Sequence, residues 1–387
     1  MAGIYLHIPF CKTRCIYCDF YSTTLEEKQK QYIQALCHEL EMRRDYLNKA
    51  PIQTIYFGGG TPSQLPIELF EQVFQTLEQT YGLELCNEIT VEANPDDLTS
   101  EYVNGLRRLP FNRISIGIQT FQDPMLRLLN RRHTAQQAIE AVKRCRNAGF
   151  SNISIDLMYG LPDETPETWM ADIHQAIQLN ADHISAYHLI YEEGTRLWQM
   201  CEKRQVKEAD EETSIRFFEM LISELTQAGY EHYEISNFCL PGRYARHNMS
   251  YWEGTPYLGC GAAAHSYDGH EYRQWNVASI EDYINGIEKG TPHFDREYLN
   301  CYTRYNEAVI TALRTHKGLS LPMLKEKFGD SLYNYCLNNA QPYITGGKMI
   351  IENDTLRISR QGIFVSDGIM SDLLWVEDTE EPTEEHF

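Results

Sequence analysis

The first half of the chain predicts an α/β protein built on a parallel sheet, and the last quarter a small helical module. Three observations carry this. Short apolar runs at residues 52–57, 88–92, 113–119 and 153–158 are each followed by a helix-like stretch, and a run at 183–190 closes the series; such alternation is the rhythm of a parallel sheet. The runs are apolar on both faces, as strands covered on both sides are. Past residue 301 the rhythm gives way to helices and a short hairpin. Alternation alone leaves open whether the sheet is flat or curled into a barrel.

The elements follow in order. Run 52–57 leads into Gly58, Gly59 and Gly60, and residues 66–81 then show helical spacing through Leu69, Val73, Phe74 and Leu77. Strand 88–92 precedes a short helix at 100–109, strand 113–119 the main helix at 133–148, and strand 153–158 a helix at 167–178. Residues 209–228 form a long amphipathic helix with Ile215, Phe218, Leu221, Ile222 and Leu225 on one stripe. The stretch 230–275 is rich in glycine, aromatics and histidine and shows no clear rhythm. Helices at 306–316, 322–328 and 330–340, then strands at 349–351 and 356–359, give the order of a winged-helix-like module. These changes divide the chain into residues 1–192, 193–300 and 301–375, with an acidic stretch at 376–387 that reads as a solvated tail.

Composition bounds the function. A hydrophobic content of 42% in 387 residues supports a packed core. No run is long and apolar enough to predict a membrane span, and the first residues lack a basic stretch and apolar signal core. A net charge of −21 argues against nucleic acid as a partner, because phosphate binding needs a basic surface. It favours a protein partner with a basic docking face.

Cys11, Cys15 and Cys18 form a C-x3-C-x2-C triplet with no fourth cysteine nearby. Structural zinc prefers four closed ligands, commonly two separated pairs. A disulfide framework does not suit eleven cysteines in a long chain, and a thioredoxin-like pair would leave Cys11 unexplained. Iron–sulfur clusters are held by thiolates, usually four. Three thiolates on a 4Fe-4S cluster leave one iron open to bind a small molecule and pass it an electron. Free thiols and an oxygen-sensitive cluster predict a reducing cytosol.

Polar residues gather at the carboxyl ends of the predicted strands, where an α/β barrel holds its ligands. Gly58-Gly-Gly-Thr-Pro62 follows the first of these runs, Glu92 closes the next, Gln119 the third, Arg131 precedes the main helix, and Asp156 lies in the run after it. Glycines admit close backbone approach, and their amides can donate to a carboxylate. Each residue alone reads equally well as a cap or salt bridge; their shared position favours a site.

Tyr5-Leu-His-Ile-Pro-Phe-Cys11, the cysteine triplet, Phe57-Gly-Gly-Gly-Thr-Pro-Ser63 and the runs 115–121 and 156–162 resemble the HemN/HemW group of radical S-adenosylmethionine (SAM) proteins, over about residues 4–370. The resemblance implies a partial, six-fold (β/α) TIM-like barrel with a C-terminal helical domain. It implies Tyr5, Gly59 and Glu92 as contacts for SAM bound to the cluster. Tyr17, Gly60, Thr61, Gln119, Arg131 and Asp156 match positions that hold a second SAM in the HemN enzymes.

Two features separate the branches of that group. HemN enzymes carry a further cysteine where this chain has Phe20, and an N-terminal arm where only three residues precede Ile4. His247-Asn-Met-Ser-Tyr-Trp252 resembles the HNxxYW motif of the heme chaperone branch. A neutral imidazole is a good axial ligand for heme iron, Tyr251 and Trp252 offer flat faces for a porphyrin, and Asn248 can orient the histidine. Arg243 and Arg246 are candidates to pair with propionates. Without the resemblance, a histidine beside aromatics is more often a packed turn residue. The resemblance therefore implies a heme chaperone that binds a cluster, SAM and heme and serves apo-hemoproteins, membrane-associated cytochromes included. The alternative is an oxygen-independent coproporphyrinogen-III dehydrogenase, against which Phe20 counts.

Overall fold

A computed structural model of the chain describes residues 1–376; the acidic stretch beyond lies outside the described residues. The chain divides into one compact unit, Met1–Tyr298, and a second that begins at Leu299.

The first unit is a partial (β/α)6 barrel. Its chain order is β1 (Ala2–Ile8), α1 (Gln29–Met42), β2 (Ile52–Gly59), α2 (Ile67–Tyr81), β3 (Glu88–Ala93), α3 (Ser100–Arg108), β4 (Arg113–Gln119), α4 (Asp123–Leu128), α5 (Ala135–Asn147), β5 (Ile153–Tyr159), α6 (Pro166–Gln178), β6 (His183–His188), α7 (Arg196–Glu202) and α8 (Glu211–Gln227). Strands β1 to β6 are neighbours in chain order and all parallel. Residues 193–298 extend the same sheet at both ends. β7 (Glu231–Glu234) and β8 (Asn237–Cys239) pair beyond β6; then, after α9 (Arg246–Trp252), β9 (Tyr257–Cys260) runs parallel to β1. β10 (His265–Tyr267), β11 (Tyr272–Asn276) and, after α10 (Ile280–Glu288), β12 (Phe294–Tyr298) continue antiparallel to an open edge.

Burial along the strands explains where a site can form. The parallel strands are buried at most positions; the half-buried exceptions are Tyr5, Gln53, Tyr56, Gly59, Glu92, Gly117, Gln119, Asp156 and His188, and Tyr187 is exposed. Register sets several beside one another across neighbouring strands: Tyr5 pairs with Tyr56, Glu92 with Ser115, and Gly117 with Asp156. The opposite face is a dry seam. Phe57 and Phe70 meet Phe111 edge-on at 5.1 and 5.3 Å between ring centroids, a geometry that adds to area burial. Helices begin where the sequence supplies oxygen acceptors. Thr134 with Gln137, and Thr165 with Thr168, form capping boxes for α5 and α6. Among the described residues no helix is long and apolar enough to cross a membrane.

The stretch 230–275, which showed no rhythm, holds five strands of three to five residues and a seven-residue helix. Such lengths are too short to establish a period. Its glycines serve close packing: a Cβ on Gly259 would lie 1.9 Å from the His265 carbonyl oxygen.

The second unit contains α11 (Cys301–Leu313), β13 (Leu319–Ser320), α12 (Leu321–Thr345), β14 (Met349–Glu352), β15 (Thr355–Ile358) and α13 (Ser366–Leu373). α11 starts ahead of the predicted residue 306 because the Asn300 side chain accepts from the Thr303 amide as its N-cap. The two helices predicted at 322–328 and 330–340 are parts of α12, divided where Gly329 takes φ 77° and ψ 177°.

Candidate cluster and cofactor site

The carboxyl ends of the parallel strands surround one cavity of about 520 Å3. All three cysteines line it, with Tyr17, Gly59, Gly60, Thr61, Glu92, Gln119, Arg131 and Asp156. Tyr5, His247, Tyr251 and Trp252 are outside its lining.

The cysteine loop leaves the end of β1 and is held at several points. The Cys11 amide donates to the Thr23 carbonyl at 2.8 Å and the Thr23 amide to the Pro9 carbonyl at 2.7 Å. Midway, Ile16 is buried among Leu129, Met158, Leu161, Leu189 and Leu197, and its amide donates to the Leu129 carbonyl at 3.3 Å. Cys11 Sγ lies 3.4 Å from Thr61 Oγ1, and Arg131 Nη1 3.5 Å from Cys15 Sγ. Burial pushes the Cys11 thiol up, and that of Cys18 up to about 11. Iron binding therefore displaces protons from these sulfurs. Three thiols on one loop, with a guanidinium against one of them, suit an anionic cluster. Among the described residues no three His, Cys, Asp or Glu side chains are arranged to hold a single metal ion.

Gly60 sets the distance between this loop and β2. Its amide donates to the Ile8 carbonyl at 2.9 Å, and a Cβ there would lie 2.7 Å from the Pro9 carbonyl carbon. Backbone cannot swing aside as a side chain can. Gly60→Ala is expected to destabilise the protein by about 1–3 kcal/mol, the usual cost of overpacking, and to lower iron retention. Denaturant melts with iron assay check this.

The polar floor opposes the loop. Tyr56 donates its hydroxyl to Glu92 Oε1 at 2.6 Å, and the Gly59 amide donates to Glu92 Oε2 at 3.2 Å. Burial raises the Glu92 carboxyl to about 7 and that of Asp156 to about 6; the Arg113 guanidinium, second in weight, pulls Asp156 back down. Ser115 donates to Asp156 Oδ1 at 3.3 Å. Arg131 Nη2 donates to Asn94 Oδ1 at 2.7 Å and to the Gly117 carbonyl. Gln119 has φ 71° where the register of β4 against β5 slips; the slip ends the strand at the rim of the cavity. Carboxylates that accept from hydroxyl or ammonium groups, beside a guanidinium that donates to a carboxylate, complement a zwitterion carrying a ribose.

One expectation is corrected here. The glycine amides are not free for a ligand carboxylate, since Gly59 N is bonded to Glu92 and Gly60 N to Ile8. Tyr5 turns its hydroxyl to His7 Nδ1 at 3.1 Å and stacks on Tyr56 at 6.2 Å between centroids. Sequence reasoning missed Tyr56, Asn94 and Arg113, which also line the cavity. Arg113 had a readable signal, because a fully buried arginine opening an apolar strand needs a reason.

The motif at 247–252 lies within α9, and most of it is set behind the cavity lining. His247 is 1% exposed. Its Nδ1 is 2.8 Å from Thr54 Oγ1 and its Nε2 2.8 Å from the Tyr251 hydroxyl, and its ring stacks on Tyr56 at 5.2 Å between centroids. Burial lowers it to about 3, so it is neutral. Coordination of iron would require the bond at one ring nitrogen to break and the enclosed ring to be uncovered. Asn248 does not orient the imidazole, as Thr54 and Tyr251 do; it is the one motif residue that lines the cavity. Trp252 packs against Tyr233, Cys239 and Met249. Arg243 approaches Asp182 at 3.7 Å.

The chain is similar to known proteins along nearly its whole length. Residues 5–176 match the radical SAM superfamily, and residues 302–365 the HemN C-terminal domain. The heme chaperone HemW of Bacillus subtilis is 36% identical over 338 residues, 86% of this chain and 88% of that protein. The HemW of Mycobacterium tuberculosis is 31% identical over 377 residues, covering 96% and 94%. Coproporphyrinogen III oxidase (HemN) from Escherichia coli shares the fold, with a TM-score of 0.83 over 96% of this chain and 89% of that one, at 23% identity. The relatives' extent and identity, with a cysteine loop facing the polar floor of a partial barrel, establish that the chain belongs to the HemW family of radical SAM proteins.

Proposed function

We propose that this protein is a heme chaperone: Cys11, Cys15 and Cys18 hold a 4Fe-4S cluster, SAM lies in the cavity beside it, and heme is bound and delivered to an apo-hemoprotein. The observation that carries this reading is the opening of all three thiols and the charged floor into a single cavity. When bound, the cluster supplies an electron at an iron that no protein group ligates. The chain's own residues bind and orient. Glu92 accepts from the ribose or ammonium of SAM once Tyr56 and Gly59 share it. Arg131 balances the charge at Cys15 and faces the second SAM position with Tyr17, Thr61, Gln119 and Asp156. Support for heme as cargo is the relatives' name, over more than four-fifths of both chains. His247 with Tyr251 and Trp252 remains the motif-based ligand candidate, at the cost of uncovering the enclosed ring. The reducing cytosol is the setting such a cluster needs.

Phe20, in place of the HemN cysteine, favours transfer over coproporphyrinogen dehydrogenation. Reconstituted, reduced protein loaded with heme is expected to convert an apo-cytochrome to its holo form, faster with SAM than without. The same protein with SAM and coproporphyrinogen III is expected to yield no protoporphyrinogen IX. Formation of that product would overturn the assignment.

A further inference from the structure

The polar floor of the cavity accounts for a cluster and SAM, yet its rim is apolar. Phe20, Tyr187 and Ile190 all line the cavity, and they are 65%, 43% and 62% exposed. Phe20 lies two residues beyond Cys18 on the cysteine loop, and Tyr187 and Ile190 come from the end of β6 and the turn after it. Large apolar side chains converging on one opening mark a ligand surface rather than ordinary scatter. Of SAM, only the adenine offers an apolar face to them; its sulfonium, ribose and amino-acid groups are polar or charged. The rim also carries Arg14, whose guanidinium has no hydrogen-bond or ion-pair partner among the described residues. Asp19 and Glu192 line the opening too, so an anionic ligand has one favoured orientation.

We propose that heme lies across this mouth, its faces against Phe20, Tyr187 and Ile190 and a propionate toward Arg14. The inference rests on the heme-chaperone reading and adds the place of binding. Heme is a flat amphiphile with apolar faces and carboxylates along one edge, and aromatic and aliphatic surfaces beside a guanidinium complement both parts. The mouth is an alternative to the motif at His247, which is enclosed with both ring nitrogens bonded.

The test is hemin titration of the cluster-loaded protein, followed by the Soret difference spectrum, with SAM affinity and iron content measured on the same samples. Ile190→Asp, a surface change on the segment after β6 and outside the cysteine loop itself, is expected to weaken heme binding roughly tenfold or more, with SAM affinity and iron unchanged. Phe20→Ala and Arg14→Glu are expected to weaken it in the same direction. If wild type binds heme and all three variants match it, the mouth is not the site. If wild type binds no heme, the chaperone reading fails and this proposal with it, a result distinct from the first.

Discussion

Cys15→Ser is expected to abolish cluster assembly, taking iron and acid-labile sulfide after anaerobic reconstitution from about four of each per chain to near zero. The effect is large because, among the described residues, no spare thiol lines the cavity to replace a lost ligand. Cys11, Cys15 and Cys18 are its only thiols in the cavity, and all are free of disulfides. Loss of one leaves two sulfurs to hold four irons. Cys15 is half-buried and contributes little to the apolar core, so the serine variant is expected to keep the wild-type circular dichroism spectrum and melting midpoint. That separates lost ligation from lost folding. Cys11→Ser and Cys18→Ser are expected to behave alike. Full iron content in any of the three, or stoichiometric zinc in the wild type, would sink the cluster assignment.

Glu92→Gln is expected to stabilise the ligand-free protein while impairing SAM binding. The Glu92 carboxyl stands at about 7 when folded, against 4.5 for an unburied carboxyl, chiefly from burial. A raised carboxyl favours the protonated native form, so its ionisation works against folding. That penalty is absent below the unfolded value, grows as pH rises and is complete above the folded value. It reaches about 3 kcal/mol at pH 8 and stays under about 1 kcal/mol at pH 5. Glutamine cannot ionise, yet its amide can still meet the Gly59 amide and the Tyr56 hydroxyl. The stability gap between variant and wild type should therefore widen by about 2–3 kcal/mol from pH 5 to pH 8 in denaturant melts. A gap that does not move with pH would mean the carboxylate is already solvated. SAM affinity should fall roughly ten- to a hundredfold at pH 8, since a charged acceptor is lost.

Much of this site was readable in the chain because buried parallel strands are monotonous. In an unbroken apolar run a terminal Glu92 or Gln119 stands out, and the fold turns those ends toward one another. The cysteine triplet was readable because its ligands are local. Hidden were pairings between distant residues. Tyr56 looked like an ordinary strand aromatic until β3 brought Glu92 within 2.6 Å. His247 invited an exposed role by its residue type and neighbours. Its enclosure depends on Thr54, 193 residues earlier, which no local pattern announces. The short strands after β6 were hidden for another reason: three or four residues cannot display an alternation.

The barrel stays open, and its last strand, β12, pairs on one side only with β11. Every β12 residue is exposed, and its central three are Asp295, Arg296 and Glu297. An uncovered run of amides and carbonyls invites strand-by-strand stacking of neighbouring copies, and charge on such an edge discourages it. Arg296 also lies over the Phe294 and Tyr272 rings, 5.5 Å from each centroid, screening the greasy ends of that border. The fold thus keeps the incomplete circle its cavity requires without turning its margin into a seed for fibres.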